Sequence, residues 1–344
     1  MKKNFFAIVS AVLLLAAVSC TKEKEGVYNP SLKISSIYQD YNVYHGSELE
    51  WNIPKYLAEQ WVWKENRLER IRYFDTETYG DVDSICAPVL LYTQDFTYDN
   101  KNRLTRADVV FSDFGLTYKD SSFSIYATYE YDGKYLKNIN LYENGVLALG
   151  YEFTHDGSTI SAITVIINGG ELFTEYGRIL DRINPLRFVL APEVAERALS
   201  ATQDCAKKIN SKGESKSIYA VTFNTEWDSD NLTRLLTDKD NMMGLFSLEF
   251  TFTYDTYTNP YYGLFDASGA FSSANIVPFM AMGRNNVTAM TMKENLMGEN
   301  ISETVTYTYT YNKSGVPETK SMEETDDTLG SDSYRYVTTY YYQY

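Results

Sequence analysis

The chain has 344 residues, of which 44% are hydrophobic and 15% aromatic, with 31 Tyr against only 8 Pro. This composition excludes a disordered chain and favours β-sheet, because aromatic side chains pack well on pleated surfaces. The formal net charge is −15, and the basic residues form no run along the sequence. Nucleic acid is therefore not expected as a partner, and an anionic membrane leaflet is not expected as a docking surface.

The N-terminus carries the features of a secretory signal. A basic start precedes an apolar run that is too short to span a bilayer, and small residues follow it. The end of this segment, Ala17-Val18-Ser19-Cys20, resembles the lipobox of bacterial lipoproteins, in which the cysteine is acylated and becomes the mature N-terminus. The resemblance implies a signal peptide over residues 1–19 and a lipidated Cys20 with a tether over residues 20–28. It also implies the outer membrane, because Thr21 stands where an Asp commonly retains lipoproteins at the inner membrane, and the charged tether favours the exterior face.

The first part of the mature chain shows no regular alternation of apolar and polar residues. Residues 27–59 hold Tyr and Trp among Gly, Asn and Pro, which predicts short edge strands and loops. From residue 60 onward, aromatic residues alternate along strands that end in turn residues. The plainest copy is Tyr129-Glu130-Tyr131-Asp132-Gly133, where alternation places both rings on one face and Asp-Gly suits a tight turn.

Six looser copies make this pattern informative. They are Trp61-Val-Trp63, Phe96-Thr-Tyr98-Asp99, Tyr151-Glu-Phe153 with His155-Asp156-Gly157, Phe223 to Asp228, Phe250 to Asp255, and Tyr307 to Asn312. Short turns between neighbours predict an antiparallel meander, because no crossover helix is needed. The Asp after each ring is read as a turn former whose side chain bonds the backbone two residues on.

One segment breaks the strand pattern. Residues 192–210 place apolar side chains on a single stripe, after Pro192 and before Gly213, which predicts an amphipathic helix packed on the sheet. No composition shift marks a domain boundary. The predicted fold is therefore mainly β: one domain over residues 29–344, built as a large curved antiparallel meander, either an open half-barrel or an elongated sheet, with one α-helix near 192–210.

The repeats resemble two groups of bacterial proteins. The form aromatic-x-Tyr-Asp, as in Phe96-Thr-Tyr98-Asp99 with Arg103-Leu104, is similar to the Tyr-Asp repeats of Rhs-type surface proteins. The whole chain looks more like uncharacterised cell-surface lipoproteins of Bacteroidetes, which share the lipobox and the Tyr-Asp hairpins. Two late segments match that family, Tyr254 to Gly263 and Tyr309 to Pro317. The resemblance implies a compartment and a curved sheet, and it brings no activity.

The sequence shows no pattern typical of a catalytic or metal-binding site. The only histidines are His45 and His155, and no Gly-x-Ser-x-Gly elbow or metal-ligand spacing accompanies them. No cofactor and no enzymatic activity are therefore expected. Two further cysteines, Cys86 and Cys205, are candidates for a disulfide in an oxidising compartment, although two buried thiols fit the sequence as well.

Two surface features point to interactions. In each of two late segments the tyrosines are separated by an even number of positions, so all of them would lie on one face of a strand. If the two strands are neighbours, the rings would form a continuous aromatic face. Such a face could stack on sugar rings or stabilise the sheet. These candidates are Tyr307, Tyr309 and Tyr311 in one segment, and Tyr334, Tyr336, Tyr340 and Tyr342 in the other. In addition, Ser84 and Thr328 lie in Asp-Ser/Thr-apolar triplets that match the O-glycosylation pattern of Bacteroidetes.

The expected function is that of a non-enzymatic lipoprotein of the outer membrane, anchored through its lipid, that binds extracellular glycan or peptide or plays a structural part. Two alternatives stay open. One is a half-barrel that carries lipid in an apolar pocket, and the other is a glycoside-processing enzyme that would need a cleft with two converging carboxylates.

Overall fold

The structure is a computed structural model that describes residues 32–76, 88–112, 124–157, 159–168, 218–237, 246–262, 283–296, 299–326 and 334–344. In these ranges the chain forms sixteen β-strands. They are β1 (Ser36–His45), β2 (Glu48–Lys64), β3 (Arg67–Asp75), β4 (Val89–Tyr98), β5 (Leu104–Phe111), β6 (Ile125–Asp132), β7 (Tyr135–Glu143), β8 (Val146–Asp156), β9 (Thr159–Asn168), β10 (Ile218–Asp228), β11 (Asn231–Thr237), β12 (Phe246–Thr258), β13 (Asn285–Leu296), β14 (Glu299–Tyr311), β15 (Pro317–Asp326) and β16 (Tyr334–Gln343). Each strand pairs antiparallel with its neighbours along the chain, which confirms the predicted meander.

The meander closes into a barrel, so the predicted open half-barrel or elongated sheet is wrong. The first strand, β1, pairs with the last, β16, in a register that runs from Ser36 opposite Gln343 to His45 opposite Tyr334. Closure satisfies the backbone groups of both terminal strands, which would otherwise form exposed edges. The helix predicted near residues 192–210 lies outside the described residues.

The reading of residues 27–59 as short edge strands and loops is also wrong where the structure describes them. Two long strands, β1 and β2, occupy this stretch. Their pairing shifts register at three places, between Ile37 and Tyr38, between Gln39 and Tyr41, and between Val43 and Tyr44. Such irregularities disrupt the alternation of apolar and polar residues, which explains why the sequence showed no period here.

The aromatic repeats share one structural role. In seven strand pairs the register shifts at the last ring of the repeat, because the partner strand carries one extra residue there. Several of these rings donate to a backbone carbonyl of a nearby strand. Tyr98 Oη donates to the carbonyl of Leu68 at 2.8 Å. Trp227 Nε1 does the same to Ile160 at 2.8 Å.

In two repeats the Asp or Asn that follows the last aromatic residue forms the turn through a side-chain hydrogen bond, as predicted. Asp99 Oδ1 accepts the backbone N–H of Lys101 at 2.8 Å and that of Arg103 at 2.9 Å. Asn312 Oδ1 accepts the N–H of Ser314 at 2.8 Å. At the Asp132-Gly133 turn the positive φ of 61° falls on Gly133, where a missing Cβ removes the strain.

The apolar face of the strands is the inside of the barrel. Tyr261, which follows β12, contacts Trp61 of β2 with ring centroids 6.4 Å apart, although five other strands separate β2 from β12 around the ring. Tyr261 therefore reaches across the interior, and the buried face that carries Trp61 is the inner one. The same face carries these buried side chains on other strands: Ile71, Phe96, Ala127, Ile139, Phe153, Ile163, Phe223, Leu235, Phe250, Met290 and Val305.

The two ends of the barrel differ. At one, here called the entry end, the chain enters β1 and leaves β16, and tight turns join most strand pairs. Those turns are 65–66, 99–103, 133–134, 229–230 and 312–316, and at the same end β8 ends and β9 begins, as β12 ends and β13 begins. At the other, here called the far end, strands are joined through 46–47, 144–145 and 297–298 and through five longer connections.

Candidate functional site

A row of aromatic side chains lines the inside of the barrel near the far end. His45 stacks on Tyr334 with ring centroids 5.0 Å apart, and Tyr334 stacks on Tyr336 at 6.4 Å. Tyr41 and Trp51 meet edge to face at 5.6 Å on the adjoining strands β1 and β2. His45 is exposed and the other four are half-buried. We call these five residues the aromatic row.

Strand pairing brings the aromatic row together from distant parts of the sequence. Val43 of β1 lies between Tyr336 of β16 and Trp51 of β2, because β1 pairs with both strands. The row therefore exists only because the barrel closes. Rings with apolar faces and polar edges suit ligands that have the same character, such as sugar rings.

The other predicted stacking residues lie deeper, towards the entry end. Tyr307, Tyr340 and Tyr342 are buried, with 4%, 5% and 8% of their surface exposed, and a sugar cannot reach them from solvent. Tyr309 packs on this core, and its hydroxyl donates to the carbonyl of Val287 at 2.9 Å. The structure thus removes these four residues from the predicted stacking surface.

Tyr311, the last of the seven predicted stacking residues, also packs against other side chains. Its ring stacks on Tyr257 with centroids 4.1 Å apart, and its hydroxyl bonds the carboxylate of Asp255. The expectation that the two tyrosine segments are neighbouring strands is wrong as well, since β15 lies between β14 and β16. They do share the inner face, because Tyr309 pairs with Lys320 and Lys320 with Tyr340.

Two charged side chains are buried among these rings. Glu59 is fully buried on β2, where its Oε2 accepts the indole N–H of Trp61 at 2.8 Å. Lys320 is 5% exposed on β15, and its Nζ lies 4.5 Å from the ring centroid of Tyr340. Burial lowers the pKa of Lys320 to about 8, and the Glu59 carboxylate opposes that shift.

A turn covers this charged region at the entry end. Asn259, Pro260 and Tyr261 are buried, and the Tyr261 ring packs on Tyr342 at 5.8 Å as well as on Trp61. Asn259 fixes the turn: its Oδ1 accepts the N–H of Tyr261 at 3.0 Å, and its Nδ2 donates to the carbonyl of Gly283 at 3.1 Å. The buried pair of charges is therefore shielded from solvent by a well-bonded turn.

Away from the aromatic row, the described interior of the barrel is filled. A circular barrel of sixteen strands ordinarily encloses an aqueous channel. Here Ile71, Leu235 and Phe250 on the inner face expose 0%, 0% and 1% of their surface. Side chains this deeply buried do not border a water-filled pore.

The outer wall is polar. Ion pairs join Arg70 to Asp95, Arg106 to Asp108, Arg234 to Glu249 and Arg335 to Glu323, on strands spread around the ring. Threonines line β14, where Thr304, Thr306, Thr308 and Thr310 are all exposed. Among the described residues, the exposed large hydrophobic side chains are Leu49, Val110, Val146, Tyr257 and Tyr344.

This pattern is the inverse of a membrane-spanning barrel, whose outer face carries an apolar band about 25 Å tall. An Arg or Lys on a lipid-facing wall costs about 2–4 kcal/mol at the bilayer midplane. The charged pairs on this wall are instead suited to water. In the part of the chain that the structure describes, no helix is long and apolar enough to cross a bilayer.

Several predicted sites lie outside the described residues. These are the lipidation site Cys20, the candidate disulfide partners Cys86 and Cys205, and the candidate O-glycosylation sites Ser84 and Thr328. Within the described ranges, no group of three or more His, Cys, Asp or Glu side chains is placed to hold a metal ion.

Sequence reasoning missed the buried charges and three members of the aromatic row. A signal for Lys320 was present: it alternates with Thr319 and Ser321 and so takes one definite face of its strand. The sequence alone does not say which face points inward. His45, Trp51 and Tyr41 were missed because the residues around them were read as loops.

Comparison with known proteins assigns the chain to no family. No family model and no curated protein matches the chain. A porin-like protein from Bacteroides uniformis has a crystal structure similar to this one, with 13% identity, a TM-score of 0.48, and coverage of 91% of this chain and 98% of that one. A porin-like protein from Bacteroides vulgatus is similar at 9% identity and a TM-score of 0.37, over 90% of this chain and 98% of that one. We therefore infer function from the wall, the interior and the ends of this barrel.

Proposed function

We propose that the protein is a non-enzymatic binding protein of the bacterial outer membrane. In this proposal an acyl chain on Cys20 anchors it, and the barrel stands in water outside the bilayer. The polar wall supports a position in water, because charged pairs such as Arg70–Asp95 and Arg234–Glu249 would be costly against lipid. The lipobox-like segment before Cys20 supports the anchor.

The proposed ligand is a saccharide held at the aromatic row. The observation that carries this proposal is the stack of His45, Tyr334 and Tyr336, which is partly exposed although it lies on the inner face. Sugars have apolar C–H faces and hydroxyl edges, which match rings that offer a flat surface and a polar rim. The lipid-carrier alternative needs room among apolar side chains, and the described lining is closely packed instead.

A pair of alanine substitutions tests this assignment. The full chain is applied to a glycan array, and the variant Tyr334→Ala/Tyr336→Ala is expected to bind its best saccharide about 10- to 100-fold more weakly, because each ring contributes about 0.5–1.5 kcal/mol. The matched control is Tyr126→Ala/Tyr142→Ala, a stacked tyrosine pair on the outer wall with centroids 5.0 Å apart. The control is expected to bind as the unchanged protein does. Absence of binding to any saccharide, or equal loss in both variants, would refute the assignment.

A further inference from the structure

Basic side chains that are scattered in the sequence meet on one part of the barrel. They come from the chain entry and from the turns that join β2 to β3, β4 to β5 and β6 to β7, all at the entry end. We call them the basic rim. Its members are Lys33, Lys64, Arg67, Lys101, Arg103 and Lys134.

The rim is positive in a protein that is strongly negative. The acids in or beside the same turns are fewer than the six cations. They are Glu65, Glu69, Asp99 and Asp132. Over the whole chain the balance is reversed, with 46 Asp and Glu against 31 Lys and Arg. The turns on the other half of the entry end carry Asp156, Asp228 and Asp230 against Arg284, which pairs with Asp230, and Lys313, so the excess of positive charge lies in the half between β2 and β7.

Most of these cations face solvent. The Lys64 side chain is 76% exposed and lies 4.0 Å from Glu69, a separation at which a surface pair contributes little. Lys101, Arg67 and Lys134 are exposed as well. Arg103 is held more firmly, by Asp99 and by the carbonyl of Gly133 at 2.6 Å.

The chain enters the barrel at this rim. Lys33 Nζ donates to the carbonyl of Glu65 at 2.6 Å and to Asn66 Oδ1 at 2.8 Å, so the entering segment is tied to the first turn of the rim. If Cys20 carries the anchor, as proposed above, the segment from Cys20 to Leu32 spans at most about 40 Å. The anchor is thus attached at the end of the described barrel that carries the rim.

Screening separates the rim from the negative charge elsewhere. The Debye length is about 8 Å at physiological ionic strength. A strand of ten residues is about 33 Å long, and with the usual tilt it makes a wall about 25 Å tall. Acids at the far end are therefore about three Debye lengths from a surface that touches the entry end, and they oppose its attraction only weakly.

Against the expectation from the net charge of the whole chain, we propose that the basic rim docks on the phosphate groups of anionic lipids in the membrane that holds the anchor. The inference rests on the lipid anchor of the proposed function and assigns the orientation of the barrel. Its entry end faces the bilayer, tilted towards the β2–β7 half. The aromatic row at the far end then points away from the membrane, where a saccharide can reach it.

Vesicle flotation tests the rim without the anchor. The mature chain from residue 20 onward, carrying Cys20→Ser, is mixed with vesicles of phosphatidylcholine alone or with phosphatidylglycerol added. It is expected to float with the anionic vesicles at low salt and to be released as salt rises. The variant Lys101→Glu/Lys134→Glu is expected to bind at least about tenfold more weakly, because each cation near an anionic surface contributes about 1 kcal/mol.

The matched control is Lys55→Glu/Lys293→Glu, which changes the total charge equally at exposed wall positions away from the entry end. It is expected to float like the parent chain. Equal loss in both variants would mean a general charge effect, and flotation independent of phosphatidylglycerol would mean that binding does not require anionic lipid; either result overturns the proposal. The glycan array is independent of vesicles, so failure of one experiment leaves the other to be judged on its own result.

Discussion

Replacing Glu59 with glutamine is expected to lower the free energy of unfolding by about 3 kcal/mol at neutral pH. The glutamine side chain would keep the size of the original and an acceptor for the indole of Trp61, and it would lack the negative charge that offsets the burial of Lys320. Glu59 raises the pKa of Lys320 electrostatically, and removing one of two interacting buried charges costs about 3–5 kcal/mol, because the remaining charge is left uncompensated. Chemical denaturation of the two proteins measures the difference.

Lys320→Met is the second single variant of a double-mutant cycle with Glu59→Gln. Alone, it leaves the Glu59 carboxylate buried without the ammonium, but it also removes the buried charge of Lys320, so its destabilisation is expected to be smaller than that of Glu59→Gln. The double variant Glu59→Gln/Lys320→Met has no buried charge and is expected to lose much less than the sum of the single losses. Strictly additive losses would show that the two side chains do not interact.

The lowered pKa of Lys320 also makes the stability of the barrel depend on pH. Its pKa is about 8 in the folded barrel and 10.5 for an ordinary lysine, so between these values the unfolded chain binds more protons. The destabilising contribution of Lys320 is therefore complete below about pH 8 and disappears as the pH rises towards 10.5. The Lys320→Met variant is expected to lack this rise in stability.

Raising the pH above 10 is expected to unfold the barrel cooperatively near pH 11. Besides Tyr311 and Tyr344, burial raises the pKa of seven tyrosines above the ordinary value of about 10. They are Tyr98, Tyr151, Tyr254, Tyr261, Tyr309, Tyr340 and Tyr342. Because the pKa values are raised in the folded state, the stability that these groups contribute is complete below pH 10 and is lost as pH rises.

The size of this effect follows from linkage. At pH 11 each of these tyrosines has lost about 1.4 kcal/mol of stability relative to neutral pH, and seven together have lost about 10 kcal/mol. That sum is comparable to the whole stability of a typical domain, about 5–15 kcal/mol. Tyrosinate absorbance and the sheet signal in circular dichroism are expected to change together. Titration of these tyrosines near pH 10 with the sheet intact would contradict their burial.

Local features of the fold could be predicted from the sequence, and its closure could not. The hairpins around Tyr98 and Tyr131 follow from alternation and from turn residues, which act over a few neighbours. The pairing of β1 with β16 that closes the barrel joins Ser36 to Gln343, and no local sequence signal marks so distant a pair. The interrupted register of β1 against β2 also hid the strand that makes this pairing.

The candidate site was predictable to the same limited extent. Parity placed Tyr334, Tyr336, Tyr340 and Tyr342 on one face, which is correct, but parity distinguishes neither the inside of a barrel from its outside nor the far end from the entry end. Burial of Tyr340 and partial exposure of Tyr336 depend on which segments cover each end. The basic rim was invisible for a similar reason, since it is assembled from turns that lie far apart in the sequence, such as those of Arg67 and Lys101.

The central claim is that the outer wall of this barrel faces water. A spin label on Thr308→Cys, an exposed position on the wall of β14, tests it in the lipid-anchored protein bound to vesicles. The label is expected to collide more often with a water-soluble nickel chelate than with oxygen, and a label on Val305→Cys, which is 4% exposed on the inner face, is expected to collide with neither. A Thr308 label that meets oxygen far more often than the chelate would place the wall in lipid and contradict the claim.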